Sequence, residues 1–194
     1  NTLAATRGFN GSNAIRYFEK GSETGDPELM YLWAIRNERL KNKEEAMHLM
    51  KLAADLGYAP ALVDYGIHLL NGINVDKNVE EAKFRFQSAA AKNDSYGQLW
   101  YYLMCKNECD IKIKDELLDE YLKMSLNSSE NPESWSVFGR ELVQDGKIEE
   151  ALPNLYYGAQ NGSINALLCL GQICEKDPQC GDAKFYFKLA SNYC

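Results

Sequence analysis

The residues with the most chemical capacity are six cysteines: Cys105, Cys109, Cys169, Cys174, Cys180 and Cys194. Four of them fall within the last 26 residues. A structural zinc site draws on C-x2-C pairs or nearby histidines, because four ligands must converge on one ion. Here the spacings within the clusters are x3, x4 and x5, and the only histidines, His48 and His68, lie far upstream. The pattern therefore points to disulfides, which implies an oxidising compartment. The first residue is Asn1, which fits either removal of a signal peptide or a trimmed chain. Six buried, reduced thiols in a cytosolic protein are the alternative, since free cysteine is a common core residue.

No pattern assembles into a catalytic centre. The chain has no glycine-rich phosphate loop and no GxSxG nucleophile turn. Glu44 and His48, and again Asp64 and His68, stand four apart, which places each pair on one helix face. A zinc protease needs two histidines around a glutamate, so these pairs read as surface hydrogen bonds or ion pairs. A cysteine–histidine nucleophile needs contact in space, and here the histidines lie in the first half and the cysteines in the second. The acidic doublets Glu44-Glu45, Glu80-Glu81 and Glu149-Glu150 complement the positive ends of helices. The expectation is no catalytic residue, no cofactor and no metal.

The elements that position these residues repeat. Ala14, Ala46, Ala82, Leu118, Ala151 and Ala183 serve as anchors, separated by 32, 36, 36, 33 and 32 residues. Seven residues after each come Gly21, Ala53, Ala89, Ser125, Gly158 and Ala190. Eleven after come Gly25, Gly57, Asn93, Ser129, Gly162 and Cys194. Ala61, Gly97 and Ala166 follow three anchors by fifteen, and Ala34, Gly66, Tyr102, Phe138 and Gly171 follow five by twenty. Small residues in such register allow close helix crossings, and a Gly or Asn at offset eleven ends a helix in the left-handed conformation. One hairpin cannot bury its apolar face alone, so neighbours must stack. The fold expected is an all-α solenoid, a right-handed superhelix of about five helix-turn-helix repeats forming one domain over 1–194.

The second helices are predicted near 13–24, 44–56, 79–92, 115–127, 148–161 and 181–193. The first helices are predicted near 28–39, 60–71, 96–106, 133–144 and 165–175. Asp26-Pro27, Ala59-Pro60 and Asn131-Pro132 mark starts, and Pro153 is expected just inside a start. The 194 residues carry a net charge of -7, with Lys and Arg scattered, which disfavours a nucleic-acid role. An acidic face meeting a basic partner fits this balance. No apolar run approaches the ~20 residues that span a bilayer.

Segment 61–96 resembles a Sel1-like repeat, a relative of the tetratricopeptide repeat. Ala61, Gly66, Gly72, Val75, Asp76, Ala82, Phe86, Ala89 and Ala90 carry the likeness, and 44–59 and 148–171 match in part. The unit over 97–129 departs most, with Leu118, Ser125 and Leu126 in place of alanines. The resemblance implies a non-catalytic scaffold whose first helices line a concave, partner-binding face. The positions so implied are Tyr31, Ile35, Val63, Ile67, Leu99, Leu103, Ser136, Arg140, Leu168 and Gln172. Closure of the winding over these side chains would make them core instead, and periodicity alone does not separate the two. Trp33, Trp100 and Trp135 also lie on first helices, where packing is the commoner role.

Hairpin geometry suggests two bridges in the last repeat, Cys174–Cys180 across its turn and Cys169–Cys194 across its far end. Cys105 and Cys109 remain, to bridge at a frayed helix end or to another chain. The six allow 15 connectivities. The family resemblance implies a bacterial, exported protein-binding module, periplasmic or secreted. Its sharpest form is an immunity protein that binds and neutralises a secreted antibacterial effector such as a lipase. A scaffold or regulator in an envelope assembly or signalling complex is the alternative.

Overall fold

The structure is a computed structural model that describes residue 20 and residues 24–107, 115–127 and 131–193, without the side chains of 107 and 115–118. Ten α-helices occupy the described residues, as the repeat register predicts. They are α1 Pro27–Arg39, α2 Lys43–Asp55, α3 Ala59–Asn71, α4 Val79–Ala90, α5 Ser95–Asn107, α6 Asp115–Ser125, α7 Pro132–Gln144, α8 Ile148–Gln160, α9 Ile164–Lys176 and α10 Ala183–Ser191. One 3-10 turn, Pro178–Cys180, precedes α10. The all-α solenoid class expected from the repeats is the class found. The helix expected near 13–24 falls largely outside the described residues.

The helix ends follow local chemistry. Asp26, Asn78, Asn131, Ser163 and Asp182 cap their helices by accepting from backbone N–H groups of the first turn. Pro27 and Pro132 sit in first turns, where the missing donor has no partner to lose. Pro153 departs from expectation. It is the sixth residue of α8, a turn further in, and it forfeits one internal hydrogen bond there. At offset eleven, Gly25, Gly57, Asn93 and Gly162 all have positive φ, between 61° and 94°.

Two compact units divide the chain, Asn1–Met104 and Cys105–Cys194. Unit 1 packs α1 against α2 and α3 against α4, with α2 lying on α3. Unit 2 packs α7 against α8 and α9 against α10, with α8 lying on α9. The small residues make the closest approaches. A Cβ at Gly97 would stand 2.5 Å from the Ala89 Cβ, and one at Gly158 would stand 3.2 Å from that of Ala166. Each pair joins offset seven to offset fifteen, a second helix to the following first helix.

The other crossing lies within a hairpin. A Cβ at Gly66 would meet Phe86 Cε1 at 2.7 Å, one at Gly139 would meet Leu155 Cγ at 2.6 Å, and one at Gly171 would meet Phe187 Cε1 at 2.5 Å. The large residue always follows an anchor alanine by four, and Met50 holds that position after Ala46. Phe86, Met50 and Leu155 are fully buried. A first-helix notch filled by a second-helix knob is thus what these three hairpins repeat. The longer spacing from Gly66 to Ala82 is taken up by the loop between α3 and α4.

Candidate functional site

The ten positions expected on the first-helix face separate into two groups. Val63, Leu99 and Ser136 are buried, at 5%, 3% and 3% exposure, so they are core and leave the proposed surface. Tyr31, Ile35, Ile67 and Leu103 are half-buried, and Arg140, Leu168 and Gln172 are exposed. In unit 1 the surviving surface is a narrow row, Tyr31 and Ile35 on α1, Ile67 on α3 and Leu103 on α5.

Polar groups border that row, and their partners cross the repeat. The Tyr31 hydroxyl donates to Asp64 Oδ2 at 2.8 Å. One turn along α3, His68 Nε2 lies 3.3 Å from Glu38 Oε1 on α1, while its Nδ1 is 2.8 Å from the Ile73 carbonyl oxygen. Asp64 and His68 share a helix face as the spacing predicts, but each pairs with the preceding first helix. Burial pushes the Asp64 carboxyl above its ordinary range, with Glu38 and Asp94 adding to the shift while Tyr31 and His68 oppose it. Burial, followed by the charge of Asp64, likewise raises the Tyr31 phenol. The result is a partly desolvated acidic notch beside half-exposed isoleucines. Glu44 and His48, the other acid–histidine pair, are both simply exposed.

Further acids in unit 1 are already engaged. Arg85 is 8% exposed and bridges Asp55 Oδ1 at 2.7 Å to Glu81 Oε1 at 2.9 Å. Its guanidinium also lies 5.3 Å from the Tyr65 ring centre. This arrangement ties α2 to α4 and is structural. Trp100 stacks on Phe86 at 5.4 Å, and Trp135 packs on Tyr157 at 4.7 Å, which gives two of the three tryptophans a packing role.

In unit 2, Cys169, Cys174 and Cys180 are free thiols. The bridge expected between Cys174 and Cys180 is not formed, because the Cys180 sulfur is turned toward Asp177 Oδ2, 3.7 Å away. Cys169 is buried in the unit 2 core, and Cys105 is buried as well. Cys109 and Cys194 lie outside the described residues. Among the described residues no group of three or more His, Cys, Asp or Glu side chains is placed to hold a metal. Nor is any described helix long and apolar enough to cross a membrane.

Comparison with known proteins finds a family likeness in the first half of the chain. The Sel1 repeat model matches residues 6–26, 29–58 and 59–94. Those segments, a little under half of the chain, are similar to Sel1 repeats. Among solved structures the chain is similar to a Sel1 repeat protein from Oxalobacter formigenes, with 20% identity and a TM-score of 0.72, covering 92% of this chain and 77% of that one. A protective antigen of uropathogenic Escherichia coli displaying an SLR fold has 16% identity and a TM-score of 0.72, covering 91% of this chain and 40% of that one. An immunity protein from Pseudomonas aeruginosa has 16% identity and a TM-score of 0.69, covering 87% of this chain and 66% of that one. At these identities the likeness is one of fold. This chain spans less than half the length of the protective antigen. No curated protein sequence matches. Sel1 repeats are protein-interaction modules, and the family is in general non-catalytic.

Proposed function

We propose that this protein is a Sel1-like, non-catalytic binding module that grips one partner protein with the first-helix face of unit 1. The observation that carries this is the row of Tyr31, Ile35 and Ile67 bordered by Glu38, Asp64 and His68. Half-exposed apolar side chains beside a partly desolvated carboxylate suit a partner that offers apolar and cationic side chains together. The most specific form of the reading is a periplasmic immunity protein that neutralises a secreted antibacterial effector such as a lipase. The fold likeness to the Pseudomonas immunity protein and the acidic balance of the chain support it.

Affinity capture from an envelope extract tests the reading, with mass spectrometry of what is retained and an activity assay on it. The expected result is one secreted hydrolase, inhibited at equal stoichiometry. Recovery of a multi-subunit envelope assembly instead would replace inhibition with scaffolding.

A further inference from the structure

The turn between α9 and α10 holds two thiols close together. Cys174 lies in the last turn of α9 and is 3% exposed. Its sulfur stands 3.6 Å from where a Cβ would sit on Gly181, the residue that follows Cys180. Cys180 ends the 3-10 turn and is half-buried, packed with Tyr186 and Tyr156 against the unit 2 core. The Tyr156 hydroxyl donates to the Cys180 carbonyl oxygen at 3.4 Å, which holds that backbone against α8. The Cys180 sulfhydryl makes only a long contact, 3.7 Å, to Asp177.

We propose that Cys174 and Cys180 form a reversible thiol–disulfide latch on this turn, and that the structure shows its open, reduced state. Closure needs an oxidant, and a small-molecule disulfide such as glutathione disulfide supplies the right chemistry. The thiolate of Cys180, the more exposed of the two, attacks one sulfur of the oxidant, and one glutathione leaves with the bonding pair. The Cys174 thiolate then attacks the Cys180 sulfur of this mixed disulfide, expelling the second glutathione. Two protein thiols are oxidised, one external disulfide is reduced, and both protons end on the released thiols. Burial raises both thiols, and the carboxylate of Asp177 adds to this, with Asp182 also acting on Cys174. The order of attack follows from exposure.

Closure of the loop constrains the unfolded chain at the hairpin where α10 packs on α9. The test is incubation of the full chain in glutathione buffers, followed by alkylation and peptide mass spectrometry. Oxidising ratios are expected to give a Cys174–Cys180 linked peptide while Cys169 is recovered alkylated. Thermal unfolding is expected to rise by roughly several degrees on oxidation and to return on reduction. Cys174→Ser is expected to stop at a mixed disulfide on Cys180, and Cys180→Ser to lose the thermal response to oxidant. Recovery of Cys174 unlinked, or linked to another cysteine, would overturn the latch. So would a thermal response that survives in Cys180→Ser.

Discussion

The Tyr31 hydroxyl and Asp64 Oδ2, one repeat apart in sequence, are hydrogen-bonded at 2.8 Å across the first-helix face. The bond joins consecutive first helices at the rim of the proposed binding row, so it belongs both to stability and to the surface. Replacement by Phe removes one donor to a half-buried carboxylate. Tyr31→Phe is expected to cost about 1 kcal/mol in chemical denaturation.

The same carboxylate has a pH signature. The Asp64 carboxyl is raised in the folded state, chiefly by burial. Such a group contributes stability that is fully present below its unfolded value, about pH 4, and lost as pH rises through the folded value. Asp64→Asn removes that loss. Urea midpoints taken between pH 4 and pH 7 are expected to shift in favour of the variant as pH rises. A shift in the opposite direction would mean that Tyr31 and His68 outweigh burial.

The notch-and-knob crossings give a ranking of variants. Gly66→Ala would place a methyl 2.7 Å from Phe86, which is fully buried and stacked on Trp100. Gly171→Ala faces Phe187, which is only half-buried on the last described helix and has room to yield. Denaturation is expected to show a loss of about 2–3 kcal/mol for Gly66→Ala and a smaller loss for Gly171→Ala. Equal losses would refute a mechanism based on the freedom of the opposing ring.

Arg85 offers a fourth measurement. Its removal leaves Asp55 and Glu81 facing each other beside a buried ring. Arg85→Ala is expected to cost about 2 kcal/mol, reduced from the fully buried case because both carboxylates are partly exposed. Arg85→Lys is expected to recover only part of this, since an ammonium lacks the planar fork that reaches two carboxylates at once.

The repeat register was legible because backbone crossings constrain residue size directly. Ala46, Ala53, Ala82, Ala89, Ala151 and Ala166 all have no exposed surface, and all were placed by spacing alone. The ends of α2 and α4 were legible too, because Gly57 and Asn93 sit where the chain must turn left-handed. The face was harder. Val63 and Ile67 are four apart on one helix, yet one is core and the other half-exposed, because a neighbouring hairpin covers only part of the stripe. The partners of Asp64 and His68 lie about thirty residues back in the chain, a relationship that helical spacing does not encode. Cysteine count could not settle redox state, since burial in a core and bridging across a turn both favour cysteine.

The central claim is that the unit 1 first-helix row is the partner surface. It is tested most directly by parallel affinity capture with the wild-type chain and with Ile67→Glu plus Leu103→Glu, each checked for unchanged helicity by circular dichroism. Both side chains are half-buried on this row. The account predicts that the partner retained by wild type is lost from the double variant. Equal retention by a folded double variant would contradict it and move the binding site to another face.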